Sequence, residues 1–99
     1  MAKVGLFVRI VAKAGKENEV SAFLASALPL AEAETGTLQW FAIRLSKSDF
    51  AIFDTFTDEA GRQAHLKGPI ALALMEKADE LLAQPPKIEQ ISVLACKIQ

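Results

Sequence analysis

Residues 50–66, FAIFDTFTDEAGRQAHL, constrain the fold most, because their pattern changes from that of a strand to that of a helix. Phe50, Ile52 and Phe56 alternate with residues that are partly apolar, so both faces of this strand carry apolar groups. Asp54 interrupts the apolar run in its middle. A carboxylate there must be paired, hydrogen-bonded or neutral, because an isolated buried charge is very costly.

The helix that follows this strand carries the only histidine of the chain, His65. Thr57 is expected to accept a hydrogen bond from a free amide at the start of this helix. Arg62 and His65 are three residues apart, so they occupy neighbouring positions on one helix face. Asp54 and His65, on either side of a strand-to-helix turn, are the best chemical lead in the sequence.

Composition favours one domain, residues 1–99, with a surplus of apolar surface. Hydrophobic residues make up 52% of the chain and the mean hydropathy is +0.25, which is high for a small domain. Such a surplus predicts a partner surface, and a second copy of the chain is the simplest partner. The net charge of −1 does not favour nucleic-acid binding, which needs a basic excess on one face.

The single cysteine, Cys96, excludes an internal disulfide and a cysteine metal cluster, and it is expected as a small buried group. The first residues do not fit a signal peptide, because Arg9 and Lys13 interrupt their apolar part. No run approaches the ~18 apolar residues of a membrane-spanning helix, so no membrane contact is expected. A cytoplasmic protein is the prediction.

The apolar periodicity predicts elements in the order β-α-β-β-α-α-β. Strands are predicted at 3–12, 37–45, 49–57 and 87–98, and helices at 16–33, 58–66 and 70–83. Pro29 falls late in the first helix and is expected to kink or end it nearby. Gly61 lies inside the second helix, where it costs about 1 kcal/mol relative to alanine, which indicates close backbone packing.

This order predicts an α+β, ferredoxin-like split βαβ fold, with helices on one face of a four-stranded antiparallel sheet. The other face also carries apolar residues, so we expect a homodimer that packs sheet against sheet. The short loop after the second strand predicts a hairpin. If Leu45 pairs with Asp49, Trp40 lies opposite Asp54 and on the same face.

The element order and two segments, TGTLQW and IFDTFTDEAGRQAHL, resemble the antibiotic biosynthesis monooxygenase-like family of dimeric α/β barrels. The resemblance covers nearly the whole chain. It implies a small homodimer with a pocket between sheet and helices in each subunit. Several members of the family are cofactor-free oxygenases of quinols and polyketide phenols, others bind haem, and many have no established activity. The resemblance is therefore a statement about fold more than about chemistry.

The sequence departs from the family at two points. Phe56 stands where many relatives have tryptophan, so an indole N–H is absent. The haem-degrading members have a ligand histidine on the next helix, where this chain has IALALMEKADELL, without histidine. We therefore expect no haem, no other cofactor and no metal.

His65 and Asp54 are the candidate catalytic residues. His65 fits a base, because an unperturbed histidine titrates near pH ~6.5. Deprotonation makes a phenol or hydroquinone electron-rich enough to react with O₂, and the protein then supplies a base, orientation and a dry pocket. Asp54 would orient His65 or bind a substrate hydroxyl. The alternatives are a histidine that bonds to backbone near a helix end and an acid that accepts from Thr57, Arg62 or loop amides.

The candidate substrate-binding residues are mostly aromatic. Trp40 fits stacking on an aromatic ligand, but also a core or interface role. The others are Phe23, Phe53, Phe56 and Arg62. The phenylalanines fit a pocket lining or the core, and Arg62 fits an anionic oxygen or a surface ion pair. A pocket bordered by His65 and by Trp40, Asp54 or Phe56 would favour the catalytic interpretation.

The leading interpretation is a cofactor-independent monooxygenase that acts on a small aromatic hydroxyl compound. The alternatives are a non-catalytic dimeric ligand-binding or stress-response module of the same fold, and an isomerase or lyase that uses His65 as a proton shuttle. The binding module needs only the pocket, whereas both enzymes also need the base.

Overall fold

A computed structural model, which describes residues 3–98, has four strands and four helices. Their order is the predicted one, except that two helices stand in place of the first predicted helix. The strands are β1 Val4–Val11, β2 Thr37–Arg44, β3 Asp49–Phe56 and β4 Lys87–Ser92. The helices are α1 Glu17–Ser26, α2 Leu28–Glu32, α3 Glu59–Leu66 and α4 Pro69–Leu81. The strands form one antiparallel sheet in the order β2-β3-β1-β4. The predicted α+β, ferredoxin-like fold is confirmed.

The core lies between one face of the sheet and the helices. Alternate residues of the central strands β1 and β3 point into it, and α1 and α4 cover them. The buried side chains are Leu6, Val8, Ile10, Phe50, Ile52 and Phe56 from the strands, and Val20, Leu24, Leu74 and Leu81 from the helices. Asp54 belongs to the same inward row of β3, so the alternation places its carboxylate under the helices.

The first predicted helix, residues 16–33, is divided into α1 and α2 by Ala27. Pro29 is the cause, because its ring lacks an N–H and clashes with the carbonyl four residues earlier. The amide of Ala27 donates to the carbonyl of Leu24, 3.2 Å away, which tightens the last turn of α1. The expected end of the helix near Pro29 is confirmed.

The last strand is shorter than predicted, since β4 ends at Ser92 rather than at residue 98. Its partner β1 begins at Val4, which pairs with Ser92. Beyond this pair the amide of Val93 still donates to the carbonyl of Lys3, 2.9 Å away, and β4 ends there. Leu94 is 97% exposed, and Cys96 is exposed rather than buried as expected. Helix α4 likewise ends at Leu81, because the next residue turns extended.

The hairpin register was predicted correctly. The amide of Leu45 donates to the carbonyl of Asp49 at 2.7 Å, and Trp40 pairs with Asp54. The N-cap of α3 was predicted wrongly: Asp58, not Thr57, accepts from the amide of Gly61, at 2.9 Å. The Thr57 hydroxyl instead donates to the carbonyl of Gly36, 3.2 Å away.

Two glycines bring the start of α3 against the turn before β2. A Cβ built on Gly61 would stand 3.0 Å from the carbonyl oxygen of Gly36 and 3.4 Å from its Cα. A side chain at either position would push the two backbones apart. The close packing expected at Gly61 is confirmed, and its partner is Gly36.

The second face of the sheet, which we call the open face, is not covered by the helices of residues 3–98. Phe41 is 52% exposed there and its ring stacks on that of Phe53, with centroids 6.3 Å apart. Phe7 on β1 is half-buried, and Ile43, on β2 with Phe41, is exposed. No helix in the described part of the chain is long and apolar enough to cross a membrane.

Candidate functional site

Three side chains from distant parts of the sequence meet beneath α3. Asp54 comes from the inner face of β3, His65 from the last turn of α3, and Glu34 from the turn between α2 and β2. Nε2 of His65 lies 3.0 Å from Oδ2 of Asp54, and Nδ1 lies 2.6 Å from Oε1 of Glu34. The imidazole therefore bridges two carboxylates.

These side chains lie at successive depths. Asp54 is fully buried, the His65 side chain is 7% exposed and that of Glu34 is 16% exposed. Asp54 thus faces the protein interior, and Glu34 is the member nearest to solvent.

The local fold explains why these groups meet. Because α3 runs back over the sheet after β3, His65 returns to the level of Asp54. The contact between Gly36 and Gly61 draws the turn that carries Glu34 against the same helix. The hydroxyl of Thr37 then donates to Oε1 of Glu34 at 2.8 Å and fixes the carboxylate that faces the ring.

The geometry favours the protonated imidazole. Each ring nitrogen faces a carboxylate oxygen, so both contacts are attractive only when both nitrogens carry a proton. Burial opposes the charge on His65, but the carboxylates of Asp54 and then Glu34 outweigh it and raise its pKa above the ordinary value.

Burial also raises the pKa of Asp54, and it outweighs the lowering effect of His65 beside it. Glu34 adds to the rise through repulsion between the two carboxylates. Apart from the ion-pair contact with His65, the carboxylate of Asp54 has no hydrogen-bond partner among the described residues. Nε1 of Trp40 is also buried and has no hydrogen-bond partner among these residues. Asp54 is thus a stronger base than an ordinary aspartate, with an acceptor oxygen free.

His65 borders two different spaces. An interior cavity of about 90 Å³ lies between the sheet and α4. Its lining is apolar apart from His65 and includes Leu6, Ile52, Leu74 and Met75. A cleft of about 280 Å³ lies on the outer side, and Glu34, Gly36, Thr37 and Gly68 contribute to its walls. The ring therefore stands between an apolar interior and a polar cleft.

The predicted pocket lining is only partly correct. His65 borders the interior cavity as expected, but Trp40, Asp54 and Phe56 do not line it. Phe56 is fully buried, and its ring centroid lies 5.2 Å from that of His65, so it supports the ring from the side. Trp40 lies opposite Asp54 and packs against Ala31 and Ile70.

Three of the predicted site residues lie elsewhere. Phe53 is on the open face, because strand alternation places it opposite to Asp54. Phe23 packs against the main core. Arg62 donates from Nη1 to the carbonyls of Gly5, at 3.1 Å, and Ile91, at 3.2 Å, and it also pairs with Glu59. A role of these three residues in substrate binding stays a prediction, since the geometry does not bring them to the imidazole.

Glu34 is the site residue that the sequence reasoning missed. It lies 31 positions from His65, in a polar turn that looked only like a helix end. The available signal was the pair of glycines, since Gly36 next to Glu34 and the helical Gly61 both indicate close backbone approach. Within residues 3–98 no group of three or more potential ligands is arranged to hold a metal ion.

Comparison with solved structures finds the same fold. The chain is 56% identical to NE2512, a protein of unknown function from Nitrosomonas europaea, with a TM-score of 0.97; the match covers 100% of this chain and 96% of the other. PA3566 from Pseudomonas aeruginosa is 24% identical, with a TM-score of 0.81 and coverage of 96% and 97%. A "putative antibiotic biosynthesis monooxygenase" from Nitrosomonas europaea is 14% identical, with a TM-score of 0.83 and coverage of 94% and 91%. No protein-family model and no curated protein matches the chain.

Proposed function

We propose a cofactor-independent monooxygenase activity on a small aromatic hydroxyl compound, such as a quinol or a polyketide-like phenol. The chain shares its fold with NE2512, a protein of unknown function, and with a "putative antibiotic biosynthesis monooxygenase". One observation carries this proposal: the buried Asp54–His65 pair, whose ring borders an apolar cavity. A base beside a dry apolar space is what cofactor-free oxygenation needs from a protein. A cytoplasmic location remains part of the proposal.

The proposed reaction begins with loss of the substrate hydroxyl proton to the Asp54–His65 pair. The two groups are in contact and titrate together, so the proton is assigned to the pair rather than to one residue. The substrate anion then gives electrons to O₂. One oxygen atom forms a carbonyl on a ring carbon. The other leaves as water, with the hydrogen of that carbon and the proton that the pair took from the hydroxyl. The substrate supplies all the electrons.

The size of the cavity limits the substrate or requires movement. An engineered apolar cavity of about 150 Å³ holds benzene, whereas this cavity measures about 90 Å³. Met75 borders it and is 57% exposed, so this flexible side chain can enlarge the opening by a change of rotamer. A single-ring substrate fits this arrangement better than a polycyclic one.

Oxygen uptake tests the proposal directly. With hydroquinones and anthrones under air, the protein should consume O₂ in step with product, and His65→Gln should lower the rate by about 10²–10⁴-fold, the usual contribution of a proton-transfer group. Gln63→Ala, an exposed change on the same helix, should keep the rate. The active preparation should show no flavin or haem absorbance. Uptake that His65→Gln leaves unchanged would contradict the proposed site.

The small cavity and the occupied ring nitrogens favour a second candidate, a non-catalytic dimeric ligand-binding or stress-response module. Trp40 is the only tryptophan, so its fluorescence reports on ligands that reach the site. Saturable quenching by aromatic hydroxyl compounds without oxygen uptake would favour this candidate over the enzyme.

We also propose that the protein is a homodimer joined through the open faces of two sheets. Phe41 and its neighbours there form an apolar surface that the helices leave uncovered. Sedimentation at micromolar concentration should give about twice the chain mass of 10.7 kDa. Phe41→Glu should shift the protein to monomer, whereas Leu72→Glu, at an exposed position of α4, should not. A wild-type monomer would contradict this assembly.

A further inference from the structure

We propose that the interior cavity takes a single-ring phenol that is substituted opposite its hydroxyl group, and that the substituent leaves the protein between α4 and β4, past Met75 and Ile88. This inference deepens the proposed function and rests on it for the choice of an aromatic hydroxyl compound. The direction in which the cavity opens follows from the exposure of its walls.

The floor of the cavity leads from the centre of the sheet to its edge. Val8 of β1 pairs with Ile52 of β3 on one side and with Ile88 of β4 on the other, so the three side chains form one row on the inner face. The exposed fraction is 3% for Ile52, 7% for Val8 and 47% for Ile88. Since all three line the cavity and β4 is an edge strand, the cavity opens towards β4.

Helix α4 forms the opposite wall of the cavity, and its lining residues also range from buried to exposed. Leu74 is buried and Ala71 is half-buried, whereas Met75 is 57% exposed. All three line the cavity. The exposed side chains of Met75 and Ile88 therefore bound the gap between α4 and β4, which we call the mouth.

The His65 ring separates the cavity from the outer cleft. It lines both spaces, and the contacts of its two nitrogens with Asp54 and Glu34 hold it in place. The mouth lies on the helix side of the sheet, so a dimer joined through the open faces would leave it accessible. A ligand is therefore expected to enter and leave by the mouth.

The chemistry of the walls sets the orientation of the ligand. Among the described residues, His65 is the only polar side chain that lines the cavity, and burial of a hydroxyl among apolar groups is costly. The hydroxyl therefore lies beside the imidazole. His65 contacts Asp54 of β3, whereas the mouth is at β4, two strands away and thus about 10 Å distant. The ring carbon opposite the hydroxyl then points to the mouth.

The position of a substituent on the aromatic ring decides whether the ligand fits. A chain opposite the hydroxyl leaves through the mouth and lies against the apolar side chains of Met75 and Ile88. A chain next to the hydroxyl meets the buried walls of a cavity of about 90 Å³, where extra volume is destabilising. The site should therefore distinguish two isomers of the same phenol.

Binding of para-propylphenol and ortho-propylphenol tests this orientation, because the isomers differ only in the position of the chain. Under argon, where no oxygenation consumes the ligand, the wild type should bind the para isomer at least about tenfold more tightly. In NMR spectra, the terminal methyl group of the bound para isomer should show a nuclear Overhauser effect to the methyl group of Met75. Equal affinities, no binding of either isomer, or a propyl methyl group in contact with Ile52 would overturn the proposal.

Bulky side chains at the mouth test the exit of the substituent. Met75→Trp and Ile88→Trp should each weaken binding of para-propylphenol by at least about tenfold, and should leave binding of phenol, which has no chain, within about threefold of the wild type. Leu72→Trp, at an exposed position of α4 that does not line the cavity, is the matched control and should change neither affinity. An equal loss of affinity for both ligands would show that the tryptophans fill the cavity rather than close the mouth, and would overturn the proposal.

These binding experiments are independent of turnover. A preference for the para isomer without oxygen uptake would support this inference and contradict only the enzyme. Oxygen uptake at the same rate with both isomers would support the enzyme and overturn this inference.

Discussion

Replacement of His65 by alanine should lower the free energy of unfolding by about 3–5 kcal/mol near pH 6.5, the usual cost of removing one partner of a buried ion pair. The cost arises because Asp54, which is fully buried, would keep a charge with no positive partner. A loss of this size is a large part of the ~5–15 kcal/mol that stabilises an ordinary domain. Functional tests therefore need His65→Gln, which still donates one hydrogen bond.

The pH dependence gives this prediction a sign. The pKa of His65 is raised in the folded protein. The protonated imidazole therefore contributes fully to the free energy of unfolding below the ordinary pKa of about 6.5, and this contribution is lost as pH rises through the raised pKa. Without the histidine, which lowers the pKa of Asp54, that pKa rises further. At low pH Asp54 of the variant is protonated, so its burial without a positive partner costs little free energy. The difference in the free energy of unfolding between the wild type and His65→Ala should be largest near pH 6.5, and it should be smaller at lower and at higher pH.

Urea unfolding at several pH values measures this difference. Glu19→Gln is the matched control, because the Lys16–Glu19 ion pair is 3.3 Å long but exposed, and exposed pairs contribute at most about 1 kcal/mol. A loss below about 1 kcal/mol for His65→Ala, or a difference that does not change with pH, would show that Asp54 is not charged against the imidazole.

Gly5→Ala should be the second most damaging change, with a loss of about 1–3 kcal/mol from overpacking. Gly5 lies in the central strand β1, and a Cβ there would stand 2.5 Å from the backbone carbonyl oxygen of Asp54 and 3.2 Å from the side chain of Ile91. Strands β1 and β3 must separate to admit it, and the carbonyl of Gly5 that accepts from Arg62 moves with them.

Thermal unfolding tests this expectation, with a decrease of about 4–8 °C in Tm for each kcal/mol in a domain of this size. Lys77→Ala, at an exposed position of α4, is the control and should change Tm little. Glycine inside a strand is ordinarily less stable than alanine by about 0.5–1 kcal/mol. A Gly5→Ala protein that melts higher than the wild type would therefore show that the strands tolerate the side chain.

Most of the fold follows from local patterns in the sequence. The apolar alternation of β3 places Asp54 on the inner face, and the short loop after β2 fixes the pairing that brings Trp40 opposite to it. The same alternation places Phe53 on the open face, so the pattern of β3 alone separates it from Asp54. The meeting of Asp54 and His65 was predictable because one turn joins their two elements.

The remaining features depend on contacts between distant segments. Glu34 reaches His65 only because α2, β2 and α3 pack together, and no local sequence pattern predicts that packing. The end of β4 depends on where β1 begins. The choice of Asp58 over Thr57 as the N-cap depends on the carbonyl of Gly36, which takes the threonine hydroxyl.

The contact between Gly36 and Gly61 also has a consequence for the order of events in folding. The two residues belong to segments that must each pack on the sheet before their backbones can come into contact. Contacts between such distant segments form late, because loop closure costs entropy. The carboxylate of Glu34 reaches the imidazole only at that stage. In a refolding experiment, the NMR signals of the His65 ring would thus mark the last step of assembly, after the hairpin of β2 and β3 has formed.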